Sequence, residues 1–322
     1  MIEPKRYKKI EIDKEVFKSF FNECGNIFKQ KTITEVSPVW EKNYNEWVGS
    51  DVLKHMENGD INSLKQMYEE YYVNGLSEGA SSGAHLTNDE YRINKSKRNI
   101  ERVRPLSSHF NIQESEPFEV YKTLFNKFNI CEMINVGQTW GWEYDDIFVH
   151  FELADYLYFL DIIINILKEY DLDRTMFIGD GSGVLSSLLY KNFKIKSSHH
   201  IDLSHLLLRQ YINNYYSDTD VKHHYAENYD VNFKHDTQIL INQDSFPEMK
   251  KDSVERYIDN VKLNNVPFIL SYNIENGQSF NQHHSDYRSV ILNRGYNSIW
   301  RMDSTLRPPY VFELFYQNIE GK

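Results

Sequence analysis
The 322 residues predict an α/β chain, a mostly parallel sheet with an antiparallel last strand, preceded by a helical N-terminal region. Three observations predict it. After residue 170 short apolar runs alternate with helical ones, the pattern of parallel strands joined by crossover helices. Before residue 150 the segments repeat their apolar residues at helical spacing instead. The last two apolar runs, "SIWRMDS" and "YVFELFYQ", have no helix between them and read as a closing hairpin. The boundary falls near residue 150, giving a helical region 1–150 and a Rossmann-like region 151–322.

In chain order, "DKEVFKSFFNECGNIFKQ" and "INSLKQMYEEYYV" are amphipathic helices, and Tyr68, Tyr71 and Tyr72 form a core stripe on the second. The polar stretch "GLSEGASSGAHLTNDEYRINKSKRN" reads as loop. In "QTWGWEYDD" two tryptophans and a tyrosine surround Gly141 in a polar context, which suits an exposed binding loop built on Trp140, Trp142 and Tyr144. "YLYFLDIIINIL", Tyr156 to Leu167, is too short to span a bilayer and contains Asp161 and Asn165, so a buried helix is expected. Strands are then expected at "TMFIGD", "HHIDLS", "TQILINQD" and "VPFILSYN". Helices follow the first three.

A net charge of −11 argues against a sequence-independent grip on nucleic acid. The basic run "KSKRNIERVR" reads as a solvated loop or helix face. The start "MIEPKRYKKIEIDKEVF" lacks an apolar stretch and is no secretory signal. No membrane partner is expected. Cys24 and Cys131 form no metal spacing and fit a reducing cytoplasm. Adjacent histidines on a strand face opposite ways, so the pairs at 199–200 and 223–224 cannot each chelate one ion. No metal is expected.

The chemistry concentrates in "FIGDGSGVLSSLLY", Phe177 to Tyr190. Gly179, Gly181 and Gly183 occupy a strand-to-helix turn, where backbone must bend and a ligand could approach it closely. The dinucleotide fingerprint would need glycine at 184, where Val184 stands, and no Gly-Lys-Ser/Thr follows for a P-loop. What remains is G-x-G-x-G, the spacing of turns that bind S-adenosyl-L-methionine. Asp202, nineteen residues after Gly183, sits where a carboxylate can accept ribose hydroxyls. It could also cap the helix that begins near Ser204.

"FIGDGSG", "IDLSHLLLRQYINNYY", "LINQDSFPEM" and "FILSYNIENG", with "NVGQTWGW" upstream, make the chain resemble the sugar O-methyltransferase family, whose members have the class I methyltransferase sheet. The resemblance spans about residues 65–315, and "SFPEM" is its most distinctive piece. It implies an S-adenosyl-L-methionine site formed by Gly179, Asp180, Gly181, Gly183, Asp202, Leu203, Asp244 and Ser245. It also implies methyl transfer to a hydroxyl of a sugar-like small molecule, as in polysaccharide or glycan modification, with the region 1–150 as acceptor-binding lid. Phe177 stands where the family commonly has an acid, and Ser204 where it tends to have proline.

A hydroxyl is a poor nucleophile, so a general base is expected beside the acceptor. Glu248, in "SFPEM", and His283 are the leading candidates, with Asp244 orienting rather than taking a proton. Glu275 and His284 lie in the same loop cluster, His284 as a substrate contact, and histidine suits base chemistry at neutral pH. Two rivals stay open: transfer to a nitrogen or phosphorus-containing group, and a non-catalytic binding protein that kept the fold. A homo-oligomer also stays open.

Overall fold
The computed structural model describes residues 5–6, 11–27, 49–70, 101–113, 116–130, 140–144, 147–150, 152–217, 220–226, 233–274 and 286–318. Its centre is a seven-stranded sheet of β4 (Arg174–Ile178), β5 (Ser197–Ile201), β6 (Lys222–Ala226), β7 (Ile239–Gln243), β8 (Phe268–Ile274), β9 (Asn297–Asp303) and β10 (Tyr310–Tyr316). The spatial order is β6-β5-β4-β7-β8-β10-β9. The four pairs from β6 to β8 are parallel, and β10 runs antiparallel to both β8 and β9. The closing hairpin therefore inserts its second strand between β8 and β9, and the order reverses at β4, where the glycine turn leaves the sheet. In such sheets ligands bind beyond the strand carboxyl ends at that switch point.

Both faces are covered, which explains why "MFI" and "ILI" are continuous apolar runs rather than alternating ones. Phe177, Ile241, Leu270 and Phe312 face one side, packing with α6 (Leu153–Glu169) and α7 (Val184–Asn192). Met176, Ile178, Leu240 and Ile269 face the other, against α9 (Lys251–Leu263) and α10 (Tyr287–Asn293). The expected buried helix is α6, with thirteen of its seventeen residues buried. Its Asp161 bonds His109 Nε2 at 2.9 Å, beside Lys127. No helix among the described residues is long and apolar enough to cross a membrane.

The two expected N-terminal helices are present as α1 (Lys14–Cys24) and α3 (Ile61–Glu69), with α2 (Gly49–Glu57) between them. Phe17, Phe20, Leu64 and Tyr68 bury against Leu206, Leu208, Tyr211 and Ile212 of α8 (Ser204–Tyr216). Tyr68 is a core residue and its hydroxyl donates to the His205 carbonyl, while Tyr71 and Tyr72, the rest of the expected stripe, lie outside the described residues. The helices α4 (Arg104–His109) and α5 (Pro117–Lys127) join α6 in the first core. Among the described residues no core is confined to positions before 150. Each draws on both parts of the chain, or on the sheet region alone.

One expectation is corrected. The exposed loop expected at "QTWGWEYDD" is instead β2 (Trp140–Tyr144), the middle strand of a small antiparallel sheet between β1 (Lys5–Arg6) and β3 (Ile147–His150). Trp142 is 2 % exposed and belongs to the core with Val149, so it is not a free binding face. The aromatic density reflected strand packing, which a polar neighbourhood had masked. The histidine pairs lie within strands, where successive side chains face opposite ways: His199 and His200 in β5, His223 and His224 in β6.

Candidate active site
The glycine turn crosses from β4 to α7 with three left-handed residues, Gly179 at φ 73°, Gly181 at φ 59° and Gly183 at φ 75°. The reason for glycine extends beyond φ. A Cβ on Gly179 would lie 2.2 Å from Ser245 Oγ, and one on Gly183 would lie 2.8 Å from Gln210 Cα. At these two positions the missing side chains make room for neighbouring protein. Ser245 Oγ donates to the Ile178 carbonyl at 3.1 Å, and Asn242 bonds both Ile178 O, at 2.8 Å, and Ser245 Oγ. Ser245 thus welds the end of β7 to the end of β4.

The crest of the turn is tied to β5 by Asp202. Its Oδ2 accepts from Gly181 N at 3.0 Å and Gln210 Nε2 at 2.7 Å, and its Oδ1 accepts from Leu203 N at 2.8 Å. Leu203 itself packs against the core shared by α1, α3 and α8. Three bonds leave a carboxylate with acceptor capacity to spare, since it offers about four lone-pair sites. Burial pushes the Asp202 carboxyl up to about 7, against the bonds from Leu203, Gly181 and Gln210 that stabilise its charge. Asp180 is also pushed up to about 7, by burial first, against bonds from Ser186, with Asp202 adding repulsion. Asp180 Oδ2, Ser182 Oγ and Gln210 Oε1 are buried without a hydrogen-bond partner. Buried polar atoms are seldom left so. Two half-suppressed carboxylates and three unspent polar atoms suit a cationic, hydrogen-bonding ligand and would repel a pyrophosphate.

Beyond β7 the chain turns at Asp244, a non-glycine residue at φ 56°. Arg307 Nη1 meets Asp244 Oδ2 at 2.7 Å, and the Tyr310 hydroxyl donates to Oδ1. The Arg307 guanidinium lies 3.9 Å from the centre of the Tyr310 ring. Burial opposes the charge of Arg307, but Asp244, Tyr310 and Asp155 hold it protonated. The Tyr310 phenol is raised by burial and by Asp244, with Glu248 contributing. Glu248 closes a short turn, Phe246–Glu248, and is half-buried.

Next to this clamp stands Asp155, in the first turn of α6 and 6 % exposed. Arg102 Nη1 holds its Oδ2 at 2.9 Å, while Oδ1 is buried without a partner. Tyr272 OH pairs with Ser304 Oγ at 3.0 Å on the same side.

The structure therefore brings together the glycines, Asp180, Asp202, Leu203, Asp244, Ser245 and Glu248. Glu275, His283 and His284 lie outside the described residues, as do the side chains of Trp140 and Tyr144 in β2. Sequence reasoning missed Arg102, Asp155, Arg307 and Tyr310. Asp155 left one signal, an acid in an otherwise apolar helix start, "LADYLYF". Arg307 left none, because the hairpin loop that carries it had no motif. Among the described residues no group of three or more histidine, cysteine or acidic side chains could hold a metal ion.

No family model matches the chain, and no curated protein matches it. Solved structures do. The N-methyltransferase NodS from Bradyrhizobium japonicum WM9, in complex with S-adenosyl-L-homocysteine, is similar over 51 % of this chain and 88 % of its own, at 10 % identity and a TM-score of 0.41. An S-adenosylmethionine-dependent methyltransferase from Clostridium acetobutylicum matches over 51 % and 92 %, at 14 % identity and TM-score 0.39. The methyltransferase domain of a bacterial Hen1 matches over 50 % and 97 %, at 14 % identity and TM-score 0.37. The sheet of this chain is mostly parallel with its last strand antiparallel, the α/β arrangement expected from its sequence.

Proposed function
We propose that the chain is an S-adenosyl-L-methionine-dependent methyltransferase that methylates a hydroxyl of a sugar or a sugar-derived small polar metabolite, in the cytoplasm. The observation that carries the cofactor is the turn itself. Asp180 and Asp202 set two carboxylates beside unspent polar atoms at the sheet's switch point, and the ligand expected there carries an ammonium and a sulfonium. Bound there, it would supply an electrophilic methyl group. Asp202 would accept from the ribose hydroxyls with its spare lone pairs, and Asp180 would face the amino-acid end. Ser245 would act indirectly, by fixing where the turn lies.

The acceptor reading rests on charge balance. Arg102 pairs with Asp155 and Arg307 with Asp244. Each arginine is matched by a carboxylate, which leaves these pairs without surplus positive charge, and such a hydrogen-bonding wall suits an uncharged polyol better than a phosphorus anion. The region before residue 150 supplies Arg102, in keeping with an acceptor-binding role. Most of the acceleration would come from holding the hydroxyl in line with the methyl group.

Calorimetric titration with S-adenosyl-L-homocysteine tests the cofactor, with stoichiometric binding expected and loss of binding expected for Asp202→Ala. Absence of heat with the intact protein would favour a binding protein of the same fold. Transfer of labelled methyl to neutral monosaccharides, and not to amines, tests the acceptor class.

A further inference from the structure
We propose, resting on the methyl-transfer reading above, that Asp155 is the base that takes the proton of the acceptor hydroxyl, with Arg102 and Arg307 positioning it. The placement comes first. Ser245 packs on Gly179, Asp244 precedes Ser245, Arg307 grips Asp244, and Arg307 also acts electrostatically on Asp155. Asp155 is thus one ion pair removed from the segment that frames the cofactor turn. It is reached from α6 rather than from the strand ends that sequence motifs mark.

The second observation is what Asp155 leaves unspent. Arg102 occupies Oδ2, and Oδ1 is buried with no hydrogen-bond partner. The Tyr121 hydroxyl, fully buried and also without a partner, feels the Asp155 charge. A buried acceptor and a buried hydroxyl that each lack a partner and do not bond one another mark a place for a ligand's polar group, because buried polar atoms are seldom left unpaired. Glu248, half-buried, is not walled off in this way.

The groups facing Asp155 are Glu152 just ahead of its own helix, Arg102 ahead of α4, Tyr121 on α5, Tyr272 on β8, Asp244 after β7 and Arg307 ahead of β10. Burial raises the Asp155 carboxyl first, Arg102 and Arg307 pull it back, and Glu152 and Asp244 push it further up. The outcome is a raised carboxyl, hence a stronger base than a solvated one. In the step, the acceptor oxygen forms its bond to the methyl carbon as the carbon–sulfur bond breaks. The electron pair of that bond stays on sulfur, which becomes a neutral thioether. The hydroxyl proton passes to Asp155 Oδ1 and leaves to solvent afterwards.

The test does not need the acceptor. A base one hydrogen bond from an oxygen in line with the methyl stands about 7 Å from sulfur. At that distance an ionised carboxylate favours the sulfonium ligand over its neutral thioether product by about tenfold or more. Dissociation constants for S-adenosyl-L-methionine and S-adenosyl-L-homocysteine are measured by calorimetry at pH 8 in the intact protein, in Asp155→Asn and in Asp155→Glu. The preference for the sulfonium is expected to fall about tenfold in Asp155→Asn and to survive largely in Asp155→Glu. A purely structural Asp155 would change both affinities together and leave their ratio alone, which would overturn the assignment. Should Asp155→Asn not fold, the Asp155 carboxyl carbon resonance of the unmutated protein decides. Its titration midpoint is expected lower with the sulfonium bound than with the thioether, and equal midpoints would overturn the assignment. If the intact protein binds neither nucleoside, the cofactor reading itself fails and this one with it.

Discussion

Arg307 holds Asp244 at 2.7 Å while its guanidinium lies over the ring of Tyr310, whose hydroxyl bonds the other oxygen of the same carboxylate. The antiparallel strand thereby clamps the turn after β7, and the clamp accounts for an aspartate resting at φ 56°. Without it that left-handed residue would cost about 1–2 kcal/mol with nothing to hold it. Arg307→Ala should lower stability by about 1–2 kcal/mol, since it removes a partly buried ion pair and a stacking contact. Tyr310→Phe, which keeps the ring, should lose about 1 kcal/mol. Urea midpoints of the two variants check this, and an equal effect would show that stacking is idle.

Gly179 and Gly183 should respond differently to alanine. Both pay for a left-handed alanine, about 1–2 kcal/mol. At Gly179 the clash is with the Ser245 side chain, so Ser245→Gly should recover part of the loss in Gly179→Ala. At Gly183 the clash is with the Gln210 backbone, and trimming Gln210 should recover little. The double-mutant cycle is read from denaturation midpoints.

Nucleoside affinity should rise with pH. Asp180 and Asp202 have folded pKa values raised to about 7. A carboxyl raised on folding is held protonated in the native state. It therefore contributes stability that is complete below the unfolded value near 4 and is lost as pH rises through 7. A cationic ligand needs the ionised form instead. Binding of S-adenosyl-L-methionine, which carries a sulfonium as well as its ammonium, should tighten several-fold from pH 6 to pH 8, and the slope should shrink in Asp202→Asn. Calorimetry at the two pH values checks it.

The β5–β6 edge should be acid-sensitive. His199 is pushed down to about 3 and His223 to about 4 by burial and then by neighbouring histidines, and His200 falls in the same direction. Histidines lowered on folding contribute stability present above the unfolded value near 6.5 and lost as pH falls toward the folded value. Asp180 and Asp202 slope the other way, so the informative quantity is a difference between proteins. His199 stacks on His224 at 4.6 Å. His199→Phe should keep the shape and gain up to about 2 kcal/mol relative to the parent between pH 7.5 and pH 5. Thermal melts at both values measure it.

The strands were legible where burial on both sides left continuous apolar runs, as in "MFI" and "FIL", and the closing hairpin was legible because no helix separated its two runs. The strand "KHHYA" was not, because at the sheet edge its residues are only half-buried and its polar composition hides the period. Trp142 misled for the opposite reason, a core residue set among polar neighbours.

The sequence by itself determined the α/β order, the glycine turn and the carboxylate after the second strand, because these depend on local backbone geometry and nearby residues. The tertiary structure alone decided that Ser245 and Gln210 fill the space above two of the glycines. It alone also gathered Arg102, Asp155, Asp244, Arg307 and Tyr310 from four separate stretches. Ion pairs formed across so many residues leave no spacing to read. Their partners are chosen by how the helices and the last strand dock on the sheet.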